Sequence, residues 1–177
     1  MKAQEMTKIS LLIAMGVVLP SLFHLSGLPG AVFLPIHLSP LLGGFFLSSG
    51  RAAFLLGFIL PPLNFLLTGM PPFPGFLVMM GELGGYGILV FFFYKKKRWS
   101  VLSSLFISLL GGRLISILGN WILMSLVLGK KFALLPVLHT LFVLSLPGIA
   151  IQMVLIPLIV KGVESFAGQR ETDTGSL

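Results

Sequence analysis

The sequence predicts an all-α integral membrane protein, a bundle of about six transmembrane helices with both termini on the cytoplasmic side. Three observations lead there. Of 177 residues, 56% are hydrophobic and only 10% charged, with a mean hydropathy of +1.05. A soluble domain gives about a quarter of its residues to charge, so the polar residues here are too few to coat a water-facing globule. Apolar runs of spanning length recur between Gly, Pro and Lys/Arg breaks. Lysine and arginine, finally, gather at the ends of those runs and mostly on one side.

A span needs about 20 mostly apolar residues at ~1.5 Å each. The first run covers 7–24; Lys2 and Lys8 precede it as in a signal peptide, but Pro20, Phe23 and His24 follow where a small-residue cleavage site would stand. It is therefore read as a retained helix. The second, 34–49, is short and carries Pro35 and Pro40, which bend it or leave it partly re-entrant. The third, 51–68, ends at the breaker Gly69-Met70-Pro71-Pro72-Phe73-Pro74, and the fourth, 75–94, closes on Lys95-Lys96-Lys97-Arg98. The fifth and sixth, 99–128 and 133–160, have lengths of roughly 45 and 42 Å as straight helix. Both exceed a hydrocarbon core of about 30 Å and should tilt or project. Residues 1–161 thus form one transmembrane domain, with 162–177 expected as a short, disordered cytoplasmic tail.

Orientation follows from the cations. With the N-terminus inside, the cytoplasmic face receives Lys2, Lys8, Arg51, Lys95, Lys96, Lys97, Arg98, Lys161 and Arg170, and the outer face only Lys130 and Lys131. The net charge of +7 is read as this topological signal rather than as a nucleic-acid surface. The absence of cysteine excludes disulfides, thiolate metal sites, haem attachment and a cysteine nucleophile.

Small residues mark the seams along which helices approach in lipid. Span five has a stripe of Ser100, Ser104, Ser108, Gly112, Ser116 and Asn120; span four has Gly81 and Gly85, with Gly84 and Gly87 beside them. Both are read as internal packing. Ser10 and Ala14 in span one fit either an internal seam or a docking face for another subunit.

Two buried charges need a reason to exist. A charged side chain at mid-bilayer costs about 2.5–3.5 kcal/mol on insertion scales. Glu82 lies in span four, ~10 Å from its outer end, and Arg113 lies near the middle of span five. They are either an interhelical ion pair or contacts to a ligand, with Glu82 as a carboxylate or proton acceptor and Arg113 as an anion contact. Asn64 and Thr68, Tyr86 one turn from Glu82, Asn120 and Trp121, and His139 reach comparable depth from four helices. Their convergence predicts a small-molecule cavity in the outer half. The Pro- and Gly-rich connections at 24–30 and 68–75 should form ordered caps, with Met70, Phe73 and Phe76 as an apolar underside above a flat, partly apolar guest.

With these residues in view, the chain resembles the substrate-binding S-component of energy-coupling factor (ECF) vitamin transporters. The resemblance spans about 7–161. It rests on six spans in a short chain, the small-residue pair of span one, the stretch Leu34 to Gly44, Thr68-Gly69-Met70-Pro71-Pro72, and Glu82 through Gly87. S-components usually carry Ala-x-x-x-Ala in the first helix, where the coupling subunit docks; here Ser10 replaces the first alanine and Ala14 keeps the second.

The resemblance implies a multi-pass protein of the bacterial cytoplasmic membrane that captures a hydrophilic or heteroaromatic vitamin, or a precursor, at the outer face. It then topples when engaged by a transmembrane coupling subunit and two ATPases. The residues expected at the substrate are Asn64, Thr68, Met70, Glu82, Tyr86, Arg113, Asn120, Trp121 and His139. No cofactor and no metal are expected. The chain lacks a Walker A pattern, so ATP would be hydrolysed by the partners. GxSG and HExxH are also missing, which leaves no motif for an intramembrane protease. The competing readings are a self-sufficient proton-coupled carrier using Glu82 and a purely structural membrane subunit.

Overall fold

The structure, a computed structural model, describes residues 3–174. Helix α1 runs over Ala3–Leu25, a single turn α2 over Gly30–Phe33, and α3 over Pro35–Phe46. Helices α4 (Gly50–Thr68) and α5 (Gly75–Val90) follow, then α6 (Val101–Trp121), α7 (Leu134–Leu138) and α8 (Leu146–Thr174). Helices α5, α6 and α7 each end in a widened turn, over Phe91–Lys96, Ile122–Val127 and His139–Leu144. In the first two the chain closes with i→i−5 bonds, Lys97 N to Phe92 O and Leu128 N to Leu123 O, each at 3.0 Å.

Among the described residues, five helices are long and apolar enough to cross a bilayer: Ala3–Leu25, Gly50–Thr68, Gly75–Lys96, Val101–Val127 and Leu146–Phe166. Two of the expected spans take a different form. The run at 34–49 becomes the 12-residue α3, roughly 18 Å long. Nearly all of it, from Pro35 to Phe45, is buried, because it stands inside the bundle against α1, α4, α5 and α8 rather than against lipid. The run at 133–160 breaks at Ser145, two residues before Pro147, whose ring and missing N–H disfavour continuous helix there. Beyond 161, where a disordered tail was expected, α8 continues to Thr174 with no proline to stop it; residues 175–177, like Lys2, lie outside the described residues.

Glycines set how closely the helices approach. Helix α5 lies between α4 and α6 and uses two glycine faces. Gly84 and Gly87 meet α4 at Phe54 and Ala53, and Gly57 of α4 rests on the Leu83 carbonyl in return. Gly81 and Gly85 face Ile115 of α6. On α6, Ser104, Ser108, Gly112 and Ser116 are buried as a seam, whereas Ser100 caps the helix by accepting from Ser103 N at 3.1 Å. A Cβ on Gly57 would strike backbone that cannot rotate away. Gly57→Ala is accordingly expected to cost about 1–3 kcal/mol. Gly81→Ala, whose Cβ would sit 3.5 Å from Ile115 Cγ2, should change the thermal unfolding midpoint little.

Proline chemistry ties α1 to α4. Pro20 lies inside α1 and has no N–H for the carbonyl of Gly16. That freed oxygen accepts instead from Asn64 Nδ2 of α4 at 3.0 Å. Ser39 Oγ of α3 donates to Leu12 O at 2.6 Å on the same side of α1. At the opposite, basic end, Glu5 accepts from the Ser48 N–H and hydroxyl, both at 2.7 Å, and Tyr94 hydrogen-bonds Glu164.

Candidate substrate-binding site

A cavity of about 590 Å³ opens among α1–α6 and the widened turn after α7, at the end away from Lys8, Lys95–Arg98 and Lys161. Its size is that of a small-molecule site. The floor is built by three helices. Helix α3 contributes His37, α5 contributes Glu82 and α6 contributes Arg113, each about 3% exposed. Glu82 Oε1 accepts from Arg113 Nη1 at 2.8 Å and from Tyr86 OH at 2.8 Å. Arg113 Nη2 donates to Ser145 Oγ at 3.1 Å, and the Ser145 hydroxyl donates in turn to Leu141 O at 2.6 Å. The ion pair is thus anchored across α5, α6 and the break between α7 and α8. Gly112 makes room for it, since any side chain there would collide with the Tyr86 ring.

The break at Ser145 therefore has a positional use. It turns a hydroxyl inward to meet the guanidinium at the depth where the charge needs a partner. Leu34 is a second irregular point. Its φ of 54° is left-handed, unusual for a leucine, and lets Pro35 begin α3 immediately after α2. Gln152 of α8 holds this corner by donating from Nε2 to Leu34 O at 3.2 Å. Gly148 admits the α2 backbone beside it.

Of the residues expected at the substrate, Asn64, Thr68, Met70, Glu82, Arg113 and Asn120 line the cavity. Tyr86 sits behind the floor, fully buried and bonded to Glu82. The question left open by the sequence, whether Glu82 and Arg113 pair or face a cavity, resolves as both: they pair, and the cavity reaches them. A proton carrier built on Glu82 loses support, because its carboxylate already neutralises a guanidinium.

Trp121 and His139 are not brought to the cavity. Trp121 is 44% exposed, since a helix turns about 100° per residue and its neighbour Asn120 takes the inward direction. His139 follows Leu135 by four residues and shares its outward face. The cap also differs from expectation. Phe73 and Phe76 do not line the cavity; Phe76 stacks on Phe65 with centroids 4.7 Å apart, and Phe73 leans on Phe76. Ser10 and Ala14 are exposed on the outer side of α1, along with Leu11 and Val18.

His37 is a lining residue inside the stretch Leu34 to Gly44 and is not among the residues expected at the substrate. Its signal was available: an ionisable group inside an apolar, proline-flanked run raises the same cost that singled out Glu82. Its Nε2 lies 3.6 Å from Glu82 Oε1, too far for a hydrogen bond. Both ring nitrogens of His37, Asn64 Oδ1 and Arg113 Nε are buried with no hydrogen-bond partner among the described residues. Each such atom costs about 1–3 kcal/mol, and these four belong to three residues around one cavity. Among the described residues no group of three or more His, Cys, Asp or Glu side chains is placed to hold a metal ion.

Neither curated proteins nor solved structures give a match to this chain. The family described as "ECF transporter, substrate-specific component" matches residues 4–162. That match takes in nearly all of each span-length helix and the whole cavity floor. This membrane-embedded transport protein belongs to the substrate-specific components of ECF transporters.

Proposed function

We propose that the chain is the S-component of an ECF-type importer in the bacterial cytoplasmic membrane, and that the cavity captures a vitamin or vitamin precursor from outside the cell. The observation that carries this reading is the enclosed cavity itself, whose lining includes His37, Asn64 and Arg113, each with a buried polar atom left without a hydrogen-bond partner among the described residues. Family membership supports association with a coupling subunit and ATPases and a small-molecule substrate.

Six passes with both termini inside also belong to the proposal. The run Gly30–Phe46, α2 and α3 together, and the joined segments from Leu134 onward would complete the count begun by five span-length helices. The cavity opens at the end that carries Lys130 and Lys131, opposite the larger group of cations, and this fits an outward-facing site. Delivery would follow by toppling against the coupling subunit, with ATP consumed by its partners.

Calorimetry on the purified protein against a panel of B vitamins and their precursors tests the reading. One guest per chain is the expected stoichiometry, and heat from no member would leave capture without support. Mass spectrometry of any molecule carried through purification from the native membrane supplies an independent identification.

A further inference from the structure

The lining of the cavity specifies more than its existence. Given that the cavity is the substrate site, we infer that its guest is an uncharged molecule with an aliphatic body and an amide-type head, an N–H donor beside a carbonyl acceptor. The inference rests on the proposed capture function and narrows it.

Three features carry it. The first is charge. Glu82 and Arg113 lie 2.8 Å apart and compensate each other. A guest bringing a formal charge to this floor would meet no free counter-charge and would lose its hydration as well.

The second is the pattern of free hydrogen-bonding atoms. Asn64 commits its Nδ2 to Gly16 O and Leu60 O at 3.0 and 2.9 Å and is left with an acceptor, Oδ1. Tyr86 and Arg113 both bond Glu82 through Oε1, and His37 is nearest to that same oxygen, so Oε2 keeps its accepting capacity. Against these acceptors stand donors: Arg113 Nε–H and an N–H of the His37 ring. A head group that offers both N–H and C=O satisfies both kinds; a carboxylate, which only accepts, or an ammonium, which only donates, satisfies one.

The third is the body of the site. Leu34, Ile36, Val78, Leu141, Met70 and Met79 line it together with prolines. No Phe, Tyr or Trp does, in a chain that has twenty of them. Flat heteroaromatic guests are commonly held by stacking between aromatic faces. Here the aromatics of the cap pair with one another instead, Phe65 with Phe76 and Phe23 with Phe33. Aliphatic and thioether walls suit a saturated, irregular body.

The test uses the full chain in detergent or nanodiscs and follows thermal shift and calorimetry. The probes are hexanamide and ε-caprolactam, their charged counterparts hexanoate and hexylamine, and the heteroaromatics nicotinamide and 2-aminopyrimidine. The expected result is at least tenfold tighter binding of the two amides than of either charged or either heteroaromatic probe. Equal or tighter binding of hexanoate, hexylamine, nicotinamide or 2-aminopyrimidine overturns this inference while leaving the capture site standing. Binding by no probe, combined with a silent vitamin panel and no co-purified small molecule, removes the capture reading and this one with it. His37→Phe replaces the ring nitrogens by an aromatic face, so the ratio of hexanamide to nicotinamide affinity should fall at least tenfold. A ratio equal to that of the unaltered chain would overturn the part assigned to His37, and a ratio is insensitive to the fraction of protein folded.

Discussion

Arg113→Met is expected to lower stability by about 3–5 kcal/mol and to abolish binding of any captured molecule. The magnitude comes from what is left behind. Arg113 and Glu82 are each about 3% exposed, so removing the guanidinium strands a carboxylate in a medium of low polarity, with Tyr86 as its one remaining hydrogen-bond donor among the described residues. Ser145 loses its donor at the same time. Methionine keeps much of the arginine stem, so little of the loss would come from packing. The double variant Glu82→Gln, Arg113→Met removes both charges and should recover most of the stability, because a neutral pair has no desolvated ion to support. It should not recover binding, since the cavity floor is then altered in charge and in donors. Thermal unfolding in nanodiscs gives the first comparison and calorimetry the second. A single variant within about 0.5 kcal/mol of the original chain, the range of exposed pairs, would mean that the pair is hydrated and does not form a buried floor.

Composition alone made the solvent legible: too few polar residues remain for a water-facing surface. Four of the expected spans reappear with ends shifted by a few residues, at Ala3–Leu25, Gly50–Thr68, Gly75–Lys96 and Val101–Val127. The other two take a different form: the run at 34–49 is buried inside the bundle, and the run at 133–160 is broken at Ser145. Hydropathy reports that a run avoids water, not whether it meets lipid or protein. The run at 34–49 is equally apolar inside a bundle as across a bilayer, and only its length and prolines hinted at α3's interior place. Glu82, Arg113, Asn64 and Asn120 were found from the cost of burying polar groups, and that cost is a property of the residue and its depth. Direction is harder. Trp121 and His139 share the depth of the cavity but not its side, and a step of about 100° per residue turns a one-position error into an outward side chain. Asn64 shows a subtler limit. Half of its amide serves the carbonyl that Pro20 leaves free in another helix, a pairing that no local pattern announces.

The outward face of α1 leads to the second large effect, a separation of capture from delivery. Ala14→Trp is expected to reduce uptake by whole cells at least tenfold while leaving ligand affinity and unfolding temperature unchanged. Ala14 is exposed, and Leu11 and Val18 beside it are 69% and 52% exposed. An indole added there points away from Leu12 and Gly16, the buried residues through which α1 meets the rest of the bundle. Lipid accommodates such a group at little cost, so neither the fold nor the cavity should register it. A helix of a coupling subunit packed on Ser10 and Ala14 would be displaced, because small residues are what permit close approach in a membrane. Leu158→Trp is the matched control. Leu158 is 65% exposed on α8, outside any face assigned to a partner, and the same bulk there should leave both uptake and binding intact. Uptake by the Ala14→Trp chain equal to that of the Leu158→Trp control would place the docking surface elsewhere. Loss of binding in the Ala14→Trp chain would instead show that α1 reaches the cavity through contacts other than Pro20 and His24.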